Sequence, residues 1–260
     1  MRQLHRLIQA NRGRGQPIRS EGNRLVVYDV IVASDSDAAW MGGISAEAFA
    51  RELRAMAGDV ELRINSPGGD VFAARAMAQA MREHPGKITA YVDGVAASAA
   101  SLLAVSASET VMAPGSMMMI HEAWTMALGN KGDFLATAAL LEKSDASIVE
   151  TYQAKAGGDP AEWAALMAAE TWYTGAEAVE AGLADRLAQD KPAAAQAAWD
   201  LGVYDNAPAG QVEPQASASV QEPEPIPAPA PEPVRAEADP QSEIEHRERL
   251  LAVRLLSHAA

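Results

Sequence analysis

The stretch from Asp59 to Val92 leaves few folds open. Asp59–Asn65 alternates Val60, Leu62 and Ile64 with polar neighbours, the period of a strand with one face in a core. Ser66-Pro67-Gly68-Gly69 breaks that strand. An Ala/Met-rich run from Asp70 to about His84 then predicts a helix, which Pro85-Gly86 stops. Lys87–Val92 predicts the next strand. Strand, helix, strand at this spacing is a βαβ unit, whose crossover is nearly always right-handed. The pattern repeats with a helix from about Ser98 to Ala107, a strand over Glu109–Met112 and another extended run, Met117–His121. The fold class is therefore α/β.

The flanks extend this domain. Arg24–Val32, dense in β-branched residues, predicts one strand, and Ser45 caps a helix to about Met56. Beyond a loop at Gly129–Gly132, a long helix from about Asp133 to Ala156 carries Phe134, Ala138, Leu141, Ile148 and Tyr152 on one stripe. A short helix through about Met167, a brief extended piece at Glu170–Tyr173 and a helix capped by Thr174 and Glu177 follow, before Ala184–Leu187 closes the domain. These limits divide the chain into a mobile arm (1–23), a folded domain (24–190), a Pro/Ala/Glu-rich linker (191–241) and a short amphipathic helix (242–260). Nine of the fifteen prolines lie between Ala207 and Pro240, a composition that builds no core. The terminal helix opens on a Ser242/Glu245 capping box; marginal alone, it predicts docking to a partner.

Composition removes several classes of function. A net charge of −14 argues against general nucleic-acid binding, which draws most of its affinity from a basic face. Cysteine is absent, which excludes disulfides and thiolate chemistry and is compatible with a reducing cytoplasm. No apolar run reaches transmembrane length, so no membrane partner is expected. The arginine-rich start, with six arginines and one acid through Arg24, lacks the apolar middle of a secretory signal. It has the composition of a transit peptide, but a mobile arm is the simpler reading. No G-x-x-x-x-G-K-[ST] motif occurs, so the chain has no P-loop for ATP.

Three short pieces carry the chemistry. Ser98 follows a strand and opens a helix, where the dipole favours developing negative charge, and Ala96, Ala97, Ala99 and Ala100 leave room for a substrate backbone. Its surroundings lack the G-x-S-x-G elbow of the α/β-hydrolases. Taken alone, Ser98 reads equally well as a helix cap. His121 is the one histidine of five with a good position for a base, although a strand-end core histidine is the simpler role. A base needs an orienting group, and Glu170 and Asp185 are both candidates. Pro67-Gly68-Gly69 offers backbone N–H groups unobstructed by a Cβ, as an oxyanion hole requires, and is equally readable as a plain turn.

Together, Asn65-Ser66-Pro67-Gly68-Gly69, Ser98 in Gly-x-Ala-Ala-Ser, Met119-Ile120-His121 and the later Glu177–Asp185 run resemble the caseinolytic protease proteolytic subunit, ClpP, over about residues 24–188. The resemblance implies a ClpP/crotonase-type fold of repeated β-β-α units, here with an N-terminal arm and a disordered Pro/Ala-rich tail. It implies Ser98 as nucleophile, His121 as base and an oxyanion hole from the N–H groups of Gly69 and Ala99. The family's third residue is an aspartate; Glu170 stands at that position, one methylene longer. The resemblance implies no cofactor or metal; it implies polypeptide substrates and subunits assembled in rings with the long helix as contact handle.

Ser66–Phe72, Tyr91–Gly94 and Glu170–Trp172 look most like the ClpP-related proteases of tailed-phage head assembly. That setting implies capsid, scaffold or portal substrates, in the host cytoplasm or within the prohead. The competing expectations are a housekeeping proteolytic subunit fed by a separate AAA+ unfoldase, a crotonase-type acyl-CoA enzyme, and a catalytically silent assembly scaffold.

Overall fold

The computed structural model describes residues 2–189 and 199–208. The chain opens with α1 (Arg2–Asn11), β1 (Arg19–Glu21), β2 (Arg24–Val27), β3 (Ile31–Val32), α2 (Asp35–Met41), β4 (Ile44–Ser45) and α3 (Ala46–Ala55). Then β5 (Val60–Ser66), α4 (Val71–Glu83) and β6 (Ile88–Ala97) form the expected βαβ unit. They lead into α5 (Ala99–Val105), β7 (Glu109–Met112) and β8 (Met117–Ile120). Next come α6 (Lys131–Ala156), α7 (Pro160–Ala168), β9 (Thr171–Thr174), α8 (Gly175–Glu180) and β10 (Arg186–Leu187).

The main sheet runs β1-β2-β5-β6-β7-β10 and is parallel from β2 onward. Its axis is β6, which is longer than the sequence predicts. Thr89–Val92 pairs with β7, and then Val95–Ala97 pairs in parallel with β8, Val95 opposite Met117 and Ala97 opposite Met119. Asp93 and Gly94 disguise this continuation, because both residue types are poor strand formers. Asp93 is tolerated because its fully buried carboxylate is matched. Arg63 Nε donates to its Oδ2 at 2.8 Å, and the Tyr28 hydroxyl donates to the same oxygen at 2.5 Å. The Arg63 guanidinium also lies 4.7 Å from the Tyr91 ring centre. Asp93→Ala would leave the partly buried Arg63 guanidinium and the Tyr28 hydroxyl without their acceptor and is expected to cost about 1–3 kcal/mol, read as a lower urea midpoint.

Side chains alternate across the extended strands, and the two faces enter different cores. Ala96, Met118 and Ile120 point to the side covered by α3, α4 and α5, packing with Met77 and Leu103. Val95, Ala97 and Met119 point to the other side, where Leu7 and Ile8 of α1 meet Trp199, Leu201 and Tyr204. This second core corrects two sequence expectations. Residues 2–11 are a helix with Leu7 and Ile8 buried, not a mobile arm, and Trp199–Tyr204 contributes buried side chains where an open linker was expected. The arginines of α1 and the prolines after Ala207 hid these apolar residues from a compositional reading. The expectations for 190–198 and for 209–260, the terminal helix included, lie outside the described residues.

The strand expected over Arg24–Val32 is interrupted at Tyr28–Val30. Its second part, β3, leaves the main sheet and holds the glycine turn: Ile31 N donates to Gly68 O at 2.8 Å, and Asp70 N donates to Ile31 O at 2.9 Å.

Candidate active site

Strand pairing brings the chemical residues together. Because β6 and β8 run parallel with Ala97 opposite Met119, both strands end at one edge of the sheet. Ser98 and His121 are the residues just past those ends, and Ser98 N donates to Met119 O at 2.9 Å. β9 runs antiparallel to β8 with Thr171 opposite Ile120, which puts Glu170 at the same edge.

Ser98 adopts φ 53° and ψ −122°, a left-handed backbone that costs a non-glycine residue about 1–3 kcal/mol. Its carbonyl is anchored by Ser101, which donates from N at 2.9 Å and from Oγ at 2.6 Å. The conformation turns the hydroxyl toward His121 rather than onto α5, whose first turn it does not cap. Ser98 Oγ and His121 Nε2 are 2.7 Å apart.

The glycine turn lies against this pair. A Cβ on Gly68 would sit 2.6 Å from Ala97 O, 2.9 Å from Ser98 Cβ and 3.3 Å from Ala99 N. Gly69 (φ 144°) passes so close to β3 that a Cβ would fall 1.9 Å from Ile31 O. Ser98, Ala99, Gly69 and His121 line one cavity, walled further by apolar residues such as Phe72 and Leu102. Ala99 opens α5, so its N–H has no acceptor within the helix.

Burial pulls His121 down to about 4, with the nearby Glu170 charge opposing the shift. The imidazole is therefore neutral at physiological pH, and Nε2 is free to accept a proton.

Glu170 also has a strained backbone, with φ 47°. Its carboxylate shares a second pocket with His121, but its hydrogen bonds run elsewhere. Trp172 Nε1 donates to Oε1 at 3.2 Å, Asn206 N to Oε1 at 2.7 Å and Asp205 N to Oε2 at 2.9 Å. Asp185 is committed to a different place, accepting from Thr110 N at 2.6 Å and from Lys155 Nζ at 2.5 Å. Of the two carboxylates left open by the sequence, only Glu170 neighbours His121.

Sequence reasoning missed Tyr204. This buried residue donates its hydroxyl to Pro67 O at 2.5 Å and sets its ring edge-on to His121, with centres 5.4 Å apart. The signal was there in the apolar cluster Trp199, Leu201, Val203 and Tyr204 just ahead of the proline run.

Residues 23–191 match the family model described as Clp protease. The chain belongs to the Clp protease family. The α/β architecture, with its serine and histidine at the ends of paired strands, is the ClpP-type fold. Among curated Clp relatives, the chain is 30% identical over 131 residues to the ATP-dependent Clp protease proteolytic subunit 3 of Rhodococcus jostii, covering 50% of this chain and 65% of that protein. It is 31% identical over 128 residues to the ATP-dependent Clp protease proteolytic subunit 1 of Protochlamydia amoebophila, covering 48% and 62%. A third Clp relative, the ATP-dependent Clp protease proteolytic subunit of Bacteroides fragilis, is 29% identical over 131 residues, covering 50% and 63%. The matched stretch thus spans slightly less than two thirds of each relative's length. Tyr204 lies beyond the residues that match the family model.

Proposed function

We propose that this protein is a serine endopeptidase with Ser98 as nucleophile, His121 as general base and Glu170 as the carboxylate that stabilises the charged imidazole. The observation that carries this reading is the 2.7 Å contact between Ser98 Oγ and His121 Nε2, on a serine backbone held at φ 53°. Ser98 attacks the scissile carbonyl as His121 Nε2 takes its proton. The N–H groups of Gly69 and Ala99 receive the oxyanion, and the proton passes to the departing amine as the acyl-enzyme forms. Water, activated by the same histidine, then releases the acyl group.

Because burial holds His121 near 4, its neutral form persists through the pH range in which an ordinary histidine would protonate. The acid limb of kcat/KM is expected close to pH 4; a limb at about 6.5 would contradict the burial argument. The same shift affects stability. Between about 4 and 6.5 the unfolded chain binds more protons at this site than the folded one, so its contribution falls as pH drops through that window.

As to biological role, we favour phage prohead maturation, with capsid, scaffold or portal proteins cleaved by a homo-oligomeric ring in the host cytoplasm or inside the prohead. The support is the wording of the Ser66–Phe72 and Glu170–Trp172 segments and an acidic Pro/Ala-rich tail suited to docking through residues 242–260. The names of the relatives favour a second reading, a proteolytic subunit served by a separate ATP-driven unfoldase. Co-expression with candidate capsid, scaffold and portal proteins separates the two. Site-specific cleavage that disappears with Ser98→Ala supports the first, whereas degradation that occurs only when an AAA+ unfoldase and ATP are added supports the second.

A further inference from the structure

We infer that Tyr204 is a positioning residue for the Ser98–His121 pair, delivered by a strap of residues 199–207 that lies outside the family domain. The inference rests on the serine-peptidase reading and adds a component to it.

The strap is anchored at both ends of its path across the site. At its start, Trp199 is buried and its Nε1 donates to Asn65 Oδ1 at 3.0 Å, the atom that also accepts from Val95 N at 3.1 Å. Asp200 exchanges hydrogen bonds with Asn11 of α1, its N donating to Oδ1 at 2.7 Å and its O accepting from Nδ2 at 2.9 Å. At its end, the N–H groups of Asp205 and Asn206 hold the Glu170 carboxylate, and Asn206 Nδ2 donates to Ala169 O at 3.0 Å. Between these anchors the strap presents Tyr204. The hydroxyl grips the carbonyl of Pro67, directly before the oxyanion-turn glycines, and the ring packs edge-on against His121 and against Trp172, 6.0 Å away. Burial pushes the phenol well above its ordinary pKa, partly offset by the Ser98 side chain, so it stays a hydrogen-bond donor at all working pH values.

Geometry favours positioning over obstruction. The cavity onto which Ser98, Gly69 and Ala99 open is not lined by Tyr204; the strap lies along the pocket on the other side of His121, with Glu170. One side chain thus couples the glycine turn, the imidazole and, through the strap's amides, the third carboxylate. Glu170 therefore acts on His121 by its charge and by holding the strap.

The charged and titratable groups around His121 are few. Asp70, at the N-terminus of α4, and Tyr152 of α6 line the substrate-side cavity; Glu122 lies on its own loop; and Glu170 and Asp205 flank it with Tyr204 on the strap side. No cation stands among the residues lining those two pockets, so burial is what keeps the ring neutral.

Two substitutions in the full chain test this. Tyr204→Leu keeps apolar bulk in the strap but loses the ring edge and the hydroxyl, whereas Tyr204→Phe loses only the hydroxyl. With Tyr204→Leu, kcat for a fluorogenic peptide is expected to fall about 10²-fold with KM nearly unchanged. The His121 titration, followed by NMR of its ring, should also move upward from about 4 as water reaches the ring. Tyr204→Phe should keep the low titration and lose only about 2–10-fold in kcat. Unchanged kcat and titration in a folded Tyr204→Leu protein would overturn the inference, as would a rise in activity, which would make the strap an inhibitor. The titration needs no turnover. A wild-type protein without peptidase activity would sink the serine-peptidase reading, and the NMR shift alone would then decide whether Tyr204 holds His121.

Discussion

Replacing His121 with alanine is expected to lower peptide hydrolysis by about 10⁴–10⁶-fold, as is usual when one member of an acting unit is removed. Without Nε2 at 2.7 Å, the Ser98 hydroxyl has no base to take its proton in the attack. The remaining rate would come from substrate binding and the oxyanion donors alone. The fold should survive the change, since the ring's one hydrogen bond among the described residues is that to Ser98, and its neighbour Tyr204 stays held by Pro67 O and Trp172. Steady-state rates with an unchanged circular dichroism spectrum would bear this out. A loss below tenfold in a folded variant would show that another group serves as the base.

Gly69→Ala has the next largest expected effect, and its cause is backbone crowding rather than lost chemistry. The added methyl would fall 1.9 Å from Ile31 O, at a φ of 144° that only glycine adopts freely. Either β3 or the turn must move, and both touch the site: Ile31 N binds Gly68 O, and Gly68 abuts Ser98. Activity should fall about 10²–10³-fold, the usual effect of one misplaced oxyanion donor, with a stability loss of about 1–3 kcal/mol from overpacking. Gly115→Ala provides the comparison. That turn glycine also has a positive φ, 80°, but nothing lies within 4 Å of its would-be Cβ. It should lose about 1–2 kcal/mol of stability and keep its activity. Equal losses of activity in the two variants would contradict a special role for the Gly69 turn.

The amino-acid pattern carried the central layout well. Alternation in Asp59–Asn65 and the stops at Pro67-Gly68 and Pro85-Gly86 placed β5, α4 and the start of β6 to within a residue or two. Ser98 and His121 stood out because each follows an apolar strand, and parallel strands of one sheet end at one edge. What stayed hidden depends on partners distant in sequence. Asp93 reads as a strand stop until Arg63 and Tyr28 neutralise it, and only then can β6 reach Ala97 and deliver Ser98. The break at Tyr28–Val30 makes sense only beside the glycine turn that β3 holds. Tyr204 was masked by its position next to a proline-rich run. Its role becomes visible once Asn11, Asn65 and Glu170 are seen to grip the strap on either side of it.

Glu170 stands where the ClpP resemblance implies an aspartate, and the expectation from the sequence is a carboxylate reaching the histidine from one methylene farther back. The structure gives that extra methylene another use, since both oxygens accept from backbone amides of the strap.

The most direct measurement is covalent. A fluorophosphonate probe, followed by peptide mass spectrometry, should place its adduct on the peptide containing Ser98 in the wild-type protein. With Ser98→Ala, neither labelling nor fluorogenic-peptide cleavage should be detectable. Labelling that persists in Ser98→Ala, or an adduct on a different residue of an active wild-type protein, would contradict the assignment of Ser98 as the nucleophile.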